Sequence, residues 1–345
     1  MEIAGLFTIL VLVFILPFIF KKVEEELELF LFIMGVIAVT ITKQWNMHLI
    51  QNGLIEPIKI TLAVLIAGIL FNKFRHVLSK NVNKIENKIG LGWFVFFLVV
   101  LVGLFSSVIT AIIASLVLVE IVSFLKLDRN SEVKLVVLAC FSIGMGAILT
   151  PIGEPLSTIA ISKLKGPPYN ADFFFLLRRL GLYIVPTVLI FGVLAVFITR
   201  KAKKTESVLK EDNAEGTKGI IIRAVKVYFF VMALVFLGEG FKPLIDRYIS
   251  KIHFYALYWI NIISAVLDNA TLAAAEIGPS MDIKQIDGAL LGLIISGGIL
   301  IPGNIPNIIA ASKLKIKSKE WAKVGLPIGL SFLVIFFVIL IFMEK

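Results

Sequence analysis

The sequence predicts an all-α polytopic membrane protein, and three observations support that prediction. Hydrophobic residues make up 59% of the 345 residues and charged residues only 17%, against about 25% charged residues in soluble domains. The apolar residues recur as separate blocks of about 15 to 25 residues, the length that a helix needs to cross the hydrocarbon layer of a bilayer. These blocks do not alternate with polar residues, so they are not the strands of a membrane barrel.

The net charge of +10 could indicate nucleic-acid binding, but the positive charges lie in short clusters between the apolar blocks, without interleaved aromatic residues. Such clusters are typical of loops that set membrane topology and contact lipid head groups. We therefore expect membrane lipid, and no nucleic acid, among the partners. The single cysteine, Cys140, excludes an intrachain disulfide and a cysteine-based metal site.

The chain is predicted to divide into four parts. Residues 1–56 hold two peripheral N-terminal transmembrane helices, 57–199 form a first repeat, 200–218 form a hydrophilic cytoplasmic linker, and 219–345 form a second, inverted repeat. The repeat prediction rests on two segments, IGEPLSTIAISKLK and PGNIPNIIAASKLK. They begin 150 positions apart and share seven of fourteen residues without a gap.

Each repeat also contains one apolar stretch, 92–125 or 254–277, that small and polar residues interrupt near its middle. The interruptions SSVITA, at 106–111, and SAVLDN, at 264–269, align with each other. We interpret both stretches as re-entrant hairpins, because irregular backbone at membrane depth must be covered by protein or line a wet cavity. With this topology the Lys and Arg residues outside the predicted crossings divide 21 to 10 between the two faces, and Lys59, Arg223 and Lys226 fall inside crossings. This bias predicts a cell-membrane protein with both termini outside.

The order of these elements predicts a transporter. A helix, a re-entrant hairpin, an interrupted transmembrane helix and a final helix give each repeat three crossings, and an odd number inverts the second copy. Many secondary transporters consist of such inverted-topology repeats, with the substrate site near the midplane where interrupted helices meet. We therefore expect two alternating gates around one central site.

Both interrupted helices contain proline and glycine at the break. Proline removes a backbone donor and clashes with the carbonyl group four residues back, so prolines around a glycine interrupt a helix. Freed carbonyls and helix C-termini attract cations, whereas helix N-termini attract anions, so the breaks leave the sign of the substrate open. The predicted break residues are Pro151, Gly153 and Pro155 in the first repeat and Pro302, Gly303 and Pro306 in the second.

Two carboxylates are predicted to converge near the breaks. Glu154 lies in the first break, with Asn304 as its counterpart in the second. Asp268 lies at the tip of the second hairpin, where the first hairpin has Thr110. An ionisable group at mid-membrane costs at least about 2.5–3.5 kcal/mol, so its presence is a functional hypothesis. Paired carboxylates repel anions and favour a proton or a hard cation.

The predicted cation- and proton-binding set combines the carboxylates with neutral oxygen ligands. A structural alternative stays open for both acids, since Glu154 could cap a helix and Asp268 with Asn269 could cap the second arm of the hairpin. Glu120 and Glu276, which close the hairpins, are expected at the membrane interface. The set comprises Asp268, Glu154, Asn269, Thr110, Asn304, Asn307, Ser106, Ser107 and Thr150, with a Na⁺ site at Asp268, Asn269, Glu154 and Asn304.

We expect neither enzymatic activity nor a cofactor. The three histidines lie in or near loops, so no Ser–His pair is available within the membrane, and only Asp268 is a clearly immersed aspartate. A channel would need a continuous pore rather than two discontinuous helices in inverted copies. The residues therefore favour transport over catalysis.

With these motifs in view, the chain resembles the ion transporter superfamily, which includes NhaD-type sodium/proton antiporters, arsenite pumps and divalent-anion/sodium symporters. SAVLDNATLAAA resembles the second-hairpin motif of the NhaD type, with Asp268 and Asn269 in matching places. LTPIGEPLSTIA and GNIPNIIAASK resemble the interrupted-helix segments of that group. The pattern covers residues 57–343 and is most similar to a compact archaeal family labelled as cation transporters. The resemblance implies a scaffold domain, a transport domain and a homodimer.

We therefore hypothesise a secondary active cation transporter that exchanges Na⁺ for H⁺ by alternating access. Burial of two neighbouring carboxylates favours retention of a proton, which an arriving cation would displace. The Ser-Asn-Thr signature of the dicarboxylate branch is absent, because no Asn accompanies Ser106, Ser107 and Thr110. The alternative is an anion transporter of the same superfamily, for a carboxylate, an oxyanion or an arsenite-like solute.

Overall fold

The computed structural model describes residues 2–200, 202, 217–248 and 254–342, and these ranges contain no strand. These ranges also contain two short 3₁₀ segments, Asn261–Ala265 and Ile301–Gly303. The α-helices of these ranges are α1 (Glu2–Ile19), α2 (Lys21–Glu25), α3 (Leu27–Ile41), α4 (Met47–Ile89), α5 (Leu91–Ile109), α6 (Ala111–Phe124), α7 (Arg129–Ala147), α8 (Pro155–Lys163), α9 (Phe175–Thr199), α10 (Thr217–Tyr248), α11 (Phe254–Ile260), α12 (Asn269–Glu276), α13 (Ile283–Gly297), α14 (Ile305–Leu314) and α15 (Ser318–Phe342).

Six helices of the described ranges are long and apolar enough to cross a membrane. They are α4 over Met47–Leu70, α5, α7, α9, α10 over Lys218–Leu244, and α15. The apolar helices α1, α3 and α6 are shorter. The chain is thus a multi-pass membrane protein that is helical throughout its described part, which confirms the predicted fold class at this level.

Helix α7 lies at the centre of the molecule. Nearly all of its side chains are buried, and it packs against α5, α6, α9, α13, α14 and α15. Small residues allow the closest of these contacts, because a Cβ added at Gly146 would lie 1.8 Å from the carbonyl oxygen of Gly103 in α5. A helix enclosed on every side needs apolar or small residues all round. The break that follows α7 therefore begins in the buried interior, and only Ile152 within it is exposed, at 48%.

A second group of helices consists of α3, α4 and α10. A Cβ added at Gly35 of α3 would lie 2.9 Å from the Cβ of Phe236 in α10, and one at Gly240 would lie 2.6 Å from the Cβ of Ala38. Small residues that let two backbones approach are the usual basis of helix association in membranes. Helix α4 also contacts α6, and α10 contacts α12 and α14. This group therefore flanks the short helices near the centre.

Four interruptions lie in the stretches that the sequence predicts to be re-entrant or broken. Thr110 alone separates α5 from α6, and residues 148–154 separate α7 from α8. Residues 266–268 separate the first 3₁₀ segment from α12, and residues 298–304, which include the second 3₁₀ segment, separate α13 from α14. The predicted break residues lie in or directly beside the second and fourth interruptions.

The short helices beyond these interruptions pair between two parts of the chain. We call residues 57–199 the first half and residues 219–342 the second half. Helix α6 of the first half packs against α14 of the second, and α8 packs against α12. All four interruptions therefore lie where the two halves meet.

One of the predicted boundaries falls inside a helix. The boundary between residues 56 and 57 falls inside α4, which starts ten residues earlier because the side chain of Asn46 caps it, accepting a hydrogen bond from the amide of Leu49 at 2.8 Å. The N-terminal helices are thus joined to the first half by a continuous helix. The predicted linker at 200–218 lies outside the described residues, except for positions 200, 202, 217 and 218. Helix α5, in a stretch predicted to be re-entrant, is long enough to cross a membrane.

Candidate functional site

A cavity of about 380 Å³ lies where the four interruptions meet. Five of the predicted binding residues line it, and they come from both halves of the chain: Thr110, Glu154, Asp268, Asn269 and Asn304. The first break also contributes Pro151, Gly153 and Pro155 to the wall, whereas Pro302, Gly303 and Pro306 of the second break do not line it. With Thr158, which also lines it, the cavity thus collects two carboxylates and four neutral polar side chains.

Glu154 is buried at the start of α8. Its residue is 6% exposed, and its Oε1 atom is buried without a hydrogen-bond partner. The side-chain amides of Asn269 and Asn304 lie beside its carboxylate, and the carboxylate of Asp268 is close enough to interact with it electrostatically. Although Glu154 occupies the N-cap position, its side chain makes no capping hydrogen bond. The capping interpretation of this side chain is therefore wrong, and the carboxylate is directed to the cavity.

Asn304 occupies the same position at the start of α14 that Glu154 occupies at the start of α8. The backbone angles agree closely, with φ −157° and ψ 162° at Glu154 and φ −154° and ψ 149° at Asn304. The Asn304 side chain also makes no capping hydrogen bond. A Cβ added at Gly144 of α7 would lie 3.1 Å from its Nδ2 atom, so the glycine leaves room for the amide beside the cavity.

Thr110 turns the chain between α5 and α6 with φ +75°. A positive φ is unfavourable for a β-branched residue and occurs where the surrounding structure imposes it. The Thr110 hydroxyl accepts a hydrogen bond from the amide of Ile113 at 3.4 Å, and the next amide, of Ala111, donates to the carbonyl of Gly153 at 2.9 Å. The tip of the first predicted hairpin is thus bound to the first helix break.

Asp268 and Asn269 form the corresponding turn before α12. The carbonyl oxygen of Asp268 accepts a hydrogen bond from the amide of Leu272 at 3.3 Å, which begins the helix. Asp268 is partly exposed to the cavity. Asn269 is 4% exposed, and its Nδ2 atom is buried without a hydrogen-bond partner. Buried polar atoms are normally paired. The Nδ2 donor of Asn269 lies beside the Glu154 carboxylate, and its Oδ1 atom is the part of the amide that could bind a cation.

The other four predicted binding residues lie outside the cavity wall and hold the interruptions together. The Ser106 hydroxyl donates to the carbonyls of Gly103 and Ile143, at 2.5 and 2.9 Å, and Ser107 donates to Leu104 at 2.6 Å. A hydroxyl in a helix is close to main-chain carbonyls, which explains these bonds. The remaining two are Thr150, which donates to the carbonyl of Ser107 at 2.5 Å, and Asn307, which donates to those of Gly297 and Leu300 at 2.8 Å each.

Several contacts recur in the two halves at matching positions. Ser106 donates to the carbonyl of Ile143, and Ser264 donates to that of Leu293, at 3.2 Å. A Cβ added at Gly153 would lie 1.9 Å from the carbonyl oxygen of Ala147, and one at Gly303 would lie 2.5 Å from that of Gly297. The acceptor residues in each pair are 150 positions apart, as are Glu154 and Asn304.

The sequence interpretation missed the direction of the short helices. Four helices of the described chain, α6, α8, α12 and α14, each place their first residue in the cavity wall. A helix N-terminus carries about half a positive charge, which favours anions and carboxylates. The proline at the first position of α8 was the available signal, since proline is enriched at the start of helices. The cavity is therefore surrounded by positive helix ends as well as by acids.

Glu120 and Glu276 are buried in the protein. Glu120 is 9% exposed and pairs with the ammonium group of Lys313 in α14 at 3.1 Å. Glu276 is 7% exposed and accepts a hydrogen bond from Asn261 at 3.0 Å. Neither side chain extends to the surface, because a polar partner from another element is available to each. Neither residue lines the cavity.

The described residues contain no group of three or more His, Cys, Asp or Glu side chains that could hold a metal ion. A search of curated proteins finds no match to the chain. The family described as "Protein of unknown function (DUF1646)" matches residues 3–343, and the chain belongs to that family.

Proposed function

We propose that this member of the DUF1646 family is a secondary active cation transporter that exchanges Na⁺ for H⁺ at the central cavity. Glu154 and Asp268 are the titrating ligands in this proposal, and Thr110, Asn269 and Asn304 provide neutral ligands. Oxygen atoms of carboxylates, amides and hydroxyls are the ligands that hard cations take in proteins. A small inorganic cation is the substrate, and no enzymatic step is involved.

The observation that carries this proposal is the presence of one carboxylate from each half in a single cavity. Two acids placed close together in a poorly solvated site cannot both ionise freely, so one holds a proton until another cation replaces it. The unpaired Oε1 atom of Glu154 is a suitable place for that proton or cation. Competition for one site would couple the two fluxes.

The transport mechanism we propose is alternating access between two inverted repeats. The equivalent starts of α8 and α14, the matched hydrogen bonds of Ser106 and Ser264, and the pairing of α6 with α14 and of α8 with α12 support this view. The stretches 92–125 and 254–277 would be re-entrant hairpins, with both termini outside the cell membrane. Movement of the short helices against α3, α4 and α10 would then expose the cavity to each side in turn.

Purified protein in proteoliposomes tests the proposal. Added Na⁺ should collapse an imposed pH gradient, and the collapse should be lost in Asp268→Asn and in Glu154→Gln, which keep the size of each side chain but remove its charge. A matched control is Asp172→Asn, because Asp172 lies outside the cavity and is exposed, and its hydrogen bond with Arg178 at 2.7 Å keeps its pKa below the ordinary value. Exchange that continues in Asp268→Asn would remove this residue from the mechanism.

An anion transporter is the second candidate, and the four helix N-termini at the cavity favour it. Together they contribute about two positive charges, which could hold a carboxylate, an oxyanion or an arsenite-like solute once an acid is protonated. Thermal unfolding separates the two candidates, since a ligand that binds the folded protein stabilises it. Stabilisation by Na⁺ or Li⁺ relative to choline supports the cation, whereas stabilisation only by an added anion supports the alternative.

A further inference from the structure

A second buried acid lies away from the cavity, at the opposite end of α12. Glu276 is the last residue of that helix, and its residue is 7% exposed. The Nδ2 atom of Asn261, which is fully buried, donates to Oε2 of Glu276 at 3.0 Å and to the carbonyl oxygen of Ala289 in α13 at 3.2 Å. The other oxygen of each side chain, Oε1 of Glu276 and Oδ1 of Asn261, is buried without a hydrogen-bond partner.

The surroundings of Glu276 favour its neutral form. The elements packed against α12 are α8, α10 and α13, and none of them brings a charged side chain of the described residues against this carboxyl group. An ionised carboxylate buried beside one neutral amide is costly, and a bound proton removes that charge. A hard cation would need about six oxygen ligands, and the unpaired oxygens here number two. A proton needs only one of them.

The position of Glu276 connects it to both the surface and the cavity. Pro279 and Ser280, three and four residues further along, are exposed. In the other direction, the seven residue steps of α12 place Glu276 roughly 10 Å from Asn269 at the cavity wall. Movement of α12 as a unit would therefore affect both sites.

We propose that Glu276 and Asn261 form a second proton-binding site, through which protons pass between the surface at residues 278–282 and the acids of the cavity. The site itself is independent of the transported solute, whereas its part in proton transfer rests on the proposed function.

The pair belongs to the second half alone. In the alignment of SSVITA with SAVLDN, Asn261 and Glu276 correspond to Gly103 and Leu118. A Cβ at Gly103 would lie 2.1 Å from the Oγ atom of Ser142, so the first half has no room for an amide there. The position that matches Ser142 is Gly292 in the second half, and a Cβ at Gly292 would lie 3.3 Å from the Cβ of Asn261. The contact therefore has its glycine on the hairpin side in the first half, at Gly103, and on α13 in the second half, at Gly292. The missing side chain at Gly292 leaves room for Asn261.

Infrared difference spectroscopy with H/D exchange tests the site without reference to transport. In protein that carries Glu154→Gln and Asp268→Asn, so that the cavity acids contribute no signal, the carbonyl stretch of a protonated carboxylic acid should remain between about pH 5 and pH 8, and adding Glu276→Gln should remove it. The matched control is Glu120→Gln, which removes a buried acid that pairs with Lys313 and should leave the band unchanged. Should Glu276→Gln fail to fold, Asn261→Ala provides the second variant, because loss of the Nδ2 donor should shift the frequency of the same band. An unchanged band in Glu276→Gln, or in a folded Asn261→Ala protein, overturns the proposal.

Transport measurements then separate this proposal from the proposed function. In proteoliposomes, Glu276→Gln should slow Na⁺-driven proton movement at least about tenfold and flatten its dependence on pH, while Na⁺ still stabilises the protein against heat as it does the wild type. If Na⁺ does not stabilise the wild-type protein against heat, the cation site proposed in the cavity is contradicted, whereas the infrared evidence for the Glu276 site is unaffected. A rate and pH profile equal to those of the wild type would show that Glu276 takes no part in proton transfer.

Discussion

The two halves of the molecule place similar backbones around the cavity but divide the side chains differently. The first half contributes an acid at its helix break, Glu154, and a hydroxyl at its turn, Thr110. The second half contributes an amide at its break, Asn304, and an acid at its turn, Asp268. Each half therefore supplies one carboxylate, but from a different element. The comparison indicates that both halves are needed to place two carboxylates in the cavity, although their backbones around it are similar.

The strongest test of this comparison moves the acid from one break to the other. Glu154→Asn alone should abolish exchange, since loss of a charged ligand costs about 3 kcal/mol, or roughly 100-fold in affinity. Asn304→Glu alone adds a third acid to the cavity and should impair exchange, since neighbouring carboxylates repel each other and retain protons. The double variant restores the number of acids with the break positions exchanged. Partial recovery of Na⁺-dependent pH-gradient collapse is expected, as measured in proteoliposomes.

A double variant as inactive as the single ones would mean that the positions are not equivalent, and that Glu154 acts through its particular neighbours. Thermal unfolding of the three proteins provides the control, because each must remain folded for the comparison to count.

The next test concerns the ion pair that joins α9 of the first half to α13 of the second. Arg179 pairs with Asp287 at 2.5 Å, and the side chain of Asp287 is only 4% exposed. Arg179→Gln leaves this buried carboxylate without its partner. Breaking a fully buried pair from one side costs about 3–5 kcal/mol, and because the side chain of Arg179 is 40% exposed the cost here is lower than that. We expect a large fall in the thermal midpoint of the detergent-solubilised protein.

The contrasting pair is Arg129 with Glu320, at 2.8 Å, between α7 and α15. Both side chains are about one-third exposed, and exposed pairs contribute about 1 kcal/mol or less, although the contact of Arg129 with both oxygens of Glu320, at 2.9 and 2.8 Å, places this pair at the upper end. Glu320→Gln should therefore lower the midpoint much less than Arg179→Gln. Equal losses would show that exposure does not distinguish these two contacts.

A third, smaller effect concerns the glycines at the two breaks. Gly153→Ala places a Cβ 1.9 Å from the carbonyl oxygen of Ala147, and Gly303→Ala places one 2.5 Å from that of Gly297. Backbone must shift in both cases, and overpacking of this kind costs about 1–3 kcal/mol. Gly153→Ala should be the more destabilising of the two in thermal unfolding. Gly166→Ala, where nothing lies within 4 Å of the added carbon, should be close to neutral, and a loss there would indicate a general effect of the substitution.

The fold class could be predicted from the sequence because apolar blocks and proline–glycine breaks act locally. The burial of Glu276 could not, because it depends on how the elements that carry Asn261 and Gly292 pack against α12, and that packing is not encoded in the local pattern around Glu276. Its position at the end of a predicted hairpin favoured the membrane interface instead.

The hydrogen-bond partners of the hydroxyl residues near the cavity could not be predicted from the sequence either. Composition identifies Ser106 and Thr150 as polar residues near the breaks, but not which carbonyl each contacts. In the structure both hydroxyls donate to main-chain carbonyls. Glu154 and Asp268 could be identified more directly, because an ionisable side chain within an apolar membrane segment is costly and therefore indicates a functional site.

The smallest expected effect compares the two matched serines. Ser106 donates two hydrogen bonds, to Gly103 at 2.5 Å and to Ile143 at 2.9 Å, whereas Ser264 donates one, to Leu293 at 3.2 Å. Side-chain hydrogen bonds within membrane proteins contribute on average about 0.6 kcal/mol each. Ser106→Ala should therefore destabilise the protein by roughly 1 kcal/mol and Ser264→Ala by about half as much. Thermal unfolding of both variants, with the exposed control Ser162→Ala, measures these losses. A larger loss in Ser264→Ala than in Ser106→Ala would contradict the order that the hydrogen-bond distances predict.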